Sequence, residues 1–74
     1  MGRLRNLSGR DVCRILSENG FTWTRQRGSH AIMQKNVEIG TVTVPVPLHS
    51  EIRVGTLTSI IRQSRLDRTL FESN

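Results

Sequence analysis

Six consecutive residues, Arg25-Gln26-Arg27-Gly28-Ser29-His30, bring together a histidine, two arginines, a glycine and a serine, and Lys35 follows five positions later. Those residue types suit work on a phosphodiester. RNA carries its own nucleophile, the 2′-hydroxyl. Cleaving it needs a group to take that proton, cations to hold the charged phosphorus centre, and a group to protonate the leaving 5′-oxygen. Histidine suits the proton steps, because its side chain titrates near neutrality. Arginine suits the phosphate, because its planar fork stays charged and binds two oxygens at once. Gly28 allows close backbone approach, and the Ser29 hydroxyl can bond phosphate or backbone. The candidate set is therefore His30 for proton transfer, with Gly28, Ser29, Arg25, Arg27 and Lys35 around the phosphate. A lone histidine at a strand start is more often a surface residue than a catalyst, so residue type alone leaves both readings open. The same holds for His49, where proton transfer competes with plain solvation of a loop. Ser29 has no partners for a triad and is not expected to be a nucleophile.

Other chemistries find no support. Cys13, His30 and His49 match no metal-ligand spacing, and the six carboxylates are scattered along the chain. No metal and no cofactor are expected. One cysteine makes no internal disulfide, which fits a reduced, cytoplasmic setting. No apolar run approaches the roughly 18 residues of a membrane span, and the first residues lack the apolar stretch of a signal peptide. The net charge is +5, carried by ten arginines and one lysine. Charge of that sign points to nucleic acid or an acidic protein partner, with a merely basic soluble domain as the plain alternative. The 74 residues allow one domain, 1–74, with little core to spare.

The candidate residues need elements to position them. Ser8 is a helix N-cap with Asp11 three residues on, a short-armed capping box. Leu7 and Val12 can staple the entry, and Val12, Ile15 and Leu16 form one buried stripe. Cys13 beside that stripe reads as a buried, inert thiol. Asn19-Gly20 ends the helix, with Gly20 in the left-handed region. Alternation predicts a strand from Phe21 to Gln26, with Phe21, Trp23 and Arg25 on one face and Trp23 more often buried than stacked on a base. Arg27-Gly28-Ser29 is the turn. A second strand runs from His30 to Lys35, with His30, Ile32 and Gln34 on one face. A third covers Thr41 to Val44, and Pro45 and Pro47 end it. The second helix has Gly55 or Thr56 as its cap and buries Leu57, Ile60, Ile61 and Ser64. Asp67 caps a last short turn that folds Leu70 and Phe71 onto the core. Arg10 and Arg14 lie on the exposed face of the first helix. These elements make a two-layer α+β domain, with helices on one face of a three-stranded antiparallel sheet and the other face open.

The residues Asn19-Gly20-Phe21, Arg25 to His30, Thr43-Val44-Pro45, His49, Gly55-Thr56-Leu57 and Ile60-Ile61-Arg62-Gln63 together resemble the HicA toxin family, from about Ser8 to Phe71. The resemblance implies a fold like the double-stranded RNA-binding domain, in α-β-β-β-α order. It implies a toxin that stops translation by cutting mRNA, and a HicB-like antitoxin that binds and blocks it. It also implies that the catalytic histidine is His30, preceded by Gly28 and Ser29. Only Arg53 stands near the start of the second helix, so the duplex grip of a double-stranded RNA-binding module is not expected. Two further readings remain: a module of the same fold that holds RNA without cutting it, and an inert toxin that binds only its antitoxin. The intact Gly28-Ser29-His30 argues against the second.

Overall fold

The computed structural model describes residues 2–73, running β1 (Arg3–Leu4), α1 (Gly9–Glu18), β2 (Thr22–Arg27), β3 (His30–Asn36), β4 (Thr41–Pro47), α2 (Val54–Ser64), a 3₁₀ turn (Arg68–Phe71) and β5 (Glu72–Ser73). Strands β2-β3-β4 form an antiparallel sheet in that order, and β1 pairs with β5 in a separate two-stranded ribbon. This is the expected α+β domain with the element order of the double-stranded RNA-binding domain. No helix among the described residues is long and apolar enough to cross a membrane.

Helix α1 begins as its sequence dictates. The Ser8 hydroxyl accepts from the Asp11 amide, and the Asp11 carboxylate accepts from the Ser8 amide, both at 3.0 Å. The Ser8 amide bond to the carboxylate, helped by the Ser8 hydroxyl and the neighbouring Arg14, holds the Asp11 carboxyl below the usual aspartate range. Gly20 closes the far end at φ +93°. Val12, Ile15 and Leu16 are buried, and they meet Ala31, Met33, Val42, Val44 and Val46 from the sheet. Helix α2 adds Leu57, Ile60 and Ile61. Cys13 is buried among them, and burial pushes its thiol pKa up against a lowering by Arg10, so it is the inert thiol expected.

Several boundaries differ from the expectation. Strand β4 does not stop at Pro45; it runs through Pro45 and Pro47, which pair with Ile32 and His30. β4 lies at the sheet edge, where a missing amide donor can face outward at no cost to the ladder. Helix α2 starts at Val54, with Arg53 as an N-cap that makes no side-chain bond. The Leu57 amide already closes the first turn on the Arg53 carbonyl at 2.8 Å. Asp67 does cap the 3₁₀ turn, accepting from the Thr69 amide at 2.9 Å. Of the two residues expected to fold back, Phe71 is fully buried but Leu70 is 38% exposed.

The largest correction concerns β2. Its register shifts between Trp23 and Arg25, so Trp23 pairs with Met33 while Arg25 pairs with Ile32. Thr24 is the extra residue of this bulge, and its hydroxyl donates to the Ile32 carbonyl at 3.1 Å. Trp23 and Arg25 therefore take opposite faces, not one. Nor is Trp23 buried: it is 36% exposed on the outermost strand, with the Arg10 guanidinium 5.8 Å from its ring centre.

Candidate functional site at the β2–β3 turn

The register sorts side chains between the two faces of the sheet. Ala31 and Met33 point into the core with Val44 and Val46. The opposite face carries the row Arg27–His30–Pro47 and, beside it, the row Arg25–Ile32–Pro45. Arg27 sits directly across from His30, where side chains of paired strands stand about 5 Å apart at Cβ. Without the bulge, alternation from Trp23 would send Arg25 to the core side. The bulge brings Arg25 round to the same face as Arg27 and His30.

The turn between them has two residues. Gly28 has φ +57° and Ser29 a negative φ, the sign pattern of a II′ turn, which matches the natural twist of a hairpin. Nothing lies within 4 Å of where a Gly28 Cβ would be, so the turn is open to an approaching ligand. The Gln26 side-chain amide donates to the Gly28 carbonyl at 3.1 Å. Arg25, Arg27 and His30 are all exposed. Among the described residues, ion pairs form only at Asp11–Arg14 and Arg68–Glu72, so Arg25 and Arg27 are free to meet an anion.

Lys35 does not join this group. It lies five residues along β3 from His30, about 16 Å for an extended strand, on the helix-facing side opposite Val42. Its ammonium donates to the Asn19 carbonyl at 3.1 Å, where a cation suits the end of α1. It also lies 5.8 Å from the Phe21 ring centre. Trp23 and Arg10 are likewise on the far side from His30, and Arg14 is held by Asp11 at 3.2 Å.

A cleft of about 360 Å³ opens beside His30, lined by His30, Pro45, Pro47, His49, Thr56, Ser59, Ile60 and Gln63. The proline-bearing end of β4 forms its floor, and α2 its far wall. In the sequence Thr56 stands out only as a possible cap and, with Gln63, as part of the family resemblance, and Ser59 not at all; none of the three is expected to line a site. Their signal was present: they follow i, i+3, i+7 spacing, one position away from the buried stripe Leu57, Ile60, Ile61 and Ser64. No three His, Cys, Asp or Glu side chains gather as a metal site among the described residues.

The loop after β4 is pinned against α1. The Gly9 amide donates to the His49 carbonyl at 2.8 Å. A Cβ on Gly9 would overlap the Pro47 carbonyl oxygen and stand 2.8 Å from the Leu48 Cα. Both neighbours are backbone, so they cannot simply swing away. Gly9→Ala is therefore expected to destabilise the fold by about 1–3 kcal/mol through overpacking, despite alanine's better helix propensity. Urea denaturation of the two proteins checks this, and equal midpoints would show that the loop yields freely.

The family model for the HicA toxin of bacterial toxin–antitoxin systems matches residues 9–66 of the chain. A comparison with curated proteins finds no match. The matched span contains α1, the whole β2-β3-β4 sheet, α2, and every residue of the cleft.

Proposed function

We propose that this chain, which belongs to the HicA toxin family, is a metal-independent endoribonuclease that blocks translation by cutting mRNA. One observation carries the reading: an exposed histidine stands opposite an arginine free of any ion pair among the described residues, at an open Gly-Ser turn beside a polar-walled cleft. His30 moves one proton of the reaction. Arg27 and Arg25 hold the non-bridging phosphate oxygens, where negative charge builds as the 2′-oxygen attacks. Gly28 and Ser29 let the phosphate come close to the backbone. Thr56, Ser59 and Gln63 offer hydroxyls and an amide along the opposite wall for sugar or base contacts.

A toxin of this kind needs restraint in its own cell. A HicB-like antitoxin with an acidic surface would cover the His30 face, competing with RNA phosphate for Arg25 and Arg27. Charge steering of that sort speeds association and weakens with salt.

The test is cleavage of RNA by the purified chain in excess EDTA. Among the described residues no three His, Cys, Asp or Glu side chains converge to hold an essential cation, so the rate in EDTA is expected to equal the untreated rate. Activity lost to EDTA and restored by Mg²⁺ would overturn the metal-independent mechanism. RNA retained without cleavage would instead select the binding module.

A further inference from the structure

Transesterification of RNA needs two proton transfers, and His30 supplies one. The cleft that His30 lines contains one other titratable side chain, that of His49. His49 also lines the adjoining cleft of about 250 Å³ with Pro47, Glu51, Ile52, Arg53 and Thr56, so it stands where the two meet. The charged groups around it are thus Glu51 and Arg53 on its own loop and α2 cap, with His30 across the first cleft.

The placement of His49 is built, not incidental to a loose loop. The Leu48 amide donates to the Ser29 carbonyl at 2.7 Å, which ties the residue before His49 to the turn before His30. The Gly9 amide holds the His49 carbonyl at 2.8 Å, and the Ile52 amide donates to the Leu7 carbonyl at 2.7 Å. Three backbone bonds fix the segment, while the imidazole itself is exposed toward the cleft and makes no hydrogen bond to the described residues. Main chain held and side chain free is the arrangement a proton-transfer group requires.

We propose that His49 is a second catalytic residue, and that His30 and His49 form an acid–base pair. This rests on the ribonuclease reading above. One imidazole, neutral, takes the proton of the 2′-hydroxyl. The 2′-oxygen forms its bond to phosphorus as the bond from phosphorus to the 5′-oxygen breaks. The other imidazole, protonated, gives its proton to that 5′-oxygen. The products are a 2′,3′-cyclic phosphate and a free 5′-hydroxyl, with no water, metal or co-reactant consumed in the step.

The experiment uses the full chain and two oligoribonucleotides of one sequence. One is ordinary RNA. The other carries a bridging 5′-sulfur at the linkage the parental chain cuts, and its thiolate leaves without protonation. His49→Ala is expected to slow cleavage of ordinary RNA by about 10²–10⁴-fold, with His49→Gln as slow. Binding of a 2′-deoxy analogue should stay within a few-fold. On the sulfur-bridged RNA, one of the two alanine variants, His30→Ala or His49→Ala, should recover close to the parental rate, which identifies the acid. If His49→Ala cuts ordinary RNA at the parental rate, or if neither variant is rescued by sulfur, the pair is wrong. If His30→Ala itself cuts at the parental rate, the underlying site is wrong, and the two failures are told apart.

Discussion

His30→Ala is expected to lower the rate of RNA cleavage by about 10²–10⁴-fold and to leave the stability of the protein within about 0.5 kcal/mol of the parent. The two halves of that expectation come from the same structural fact. His30 is the first residue of β3, and its backbone takes part in the sheet, but its imidazole is exposed and bonds to no other described residue. Removing it leaves no cavity and no orphaned buried group. What is removed is a proton-transfer group facing Arg27 and the open turn. The measurements are cleavage of a defined RNA by purified variant and parent, and thermal melts of both. Growth arrest on expression should likewise disappear with the substitution. A variant that melts normally and still cuts RNA at the parental rate would remove His30 from the mechanism. The other informative comparison is Arg27→Ala, which keeps the histidine and removes only the facing cation.

How far the site could be read in advance depended on the range of the interactions that build it. The start of α1 was legible because Ser8 and Asp11 bond each other three residues apart, with nothing else involved. The turn was legible for the same reason, since Gly28 and Ser29 lie between two alternating runs. The bulge at Thr24 was not. Its bond runs to Ile32, and only that cross-strand contact sends Arg25 to the His30 face. Lys35 is only five residues from His30 in the sequence, yet side-chain parity along an extended strand puts it on the other face. The prolines of β4 misled in the opposite sense. Pro45 and Pro47 forbid a central strand, and whether a strand is central or at the edge is decided by the rest of the sheet. His49 is ambiguous in the sequence because the bonds that place it are long-range: Gly9, 40 residues away, donates to its carbonyl, and its neighbour Leu48 donates to Ser29, 19 residues away. The terminal ribbon of β1 and β5 pairs Arg3 with Ser73, 70 residues apart, and two-residue strands carry no periodic signal.

That ribbon bears on the second large effect. Phe71→Ala is expected to destabilise the protein by about 3–5 kcal/mol. The whole stability of a 74-residue domain is about 4–11 kcal/mol, so this one truncation removes a large share of it. Phe71 lies beyond the family match at 9–66, but it has no exposed surface and belongs to the main core cluster. Asp67 caps the turn that delivers it, and the Arg5 amide donates to its carbonyl at 2.9 Å. β5 begins at the next residue and pairs with β1, so the two ends of the chain clamp the ring in place. Leu70→Ala is the internal control, because Leu70 is 38% exposed and its loss should cost no more than an ordinary surface change. Chemical denaturation of the three proteins gives the comparison. Phe71 does not line the His30 cleft, so Phe71→Ala should cut RNA at the parental rate per folded molecule at low temperature and fail on warming. Equal stabilities for Phe71→Ala and Leu70→Ala would mean that the core closes without its carboxy-terminal tail. The 9–66 segment would then suffice to hold His30, Arg25 and Arg27 in register.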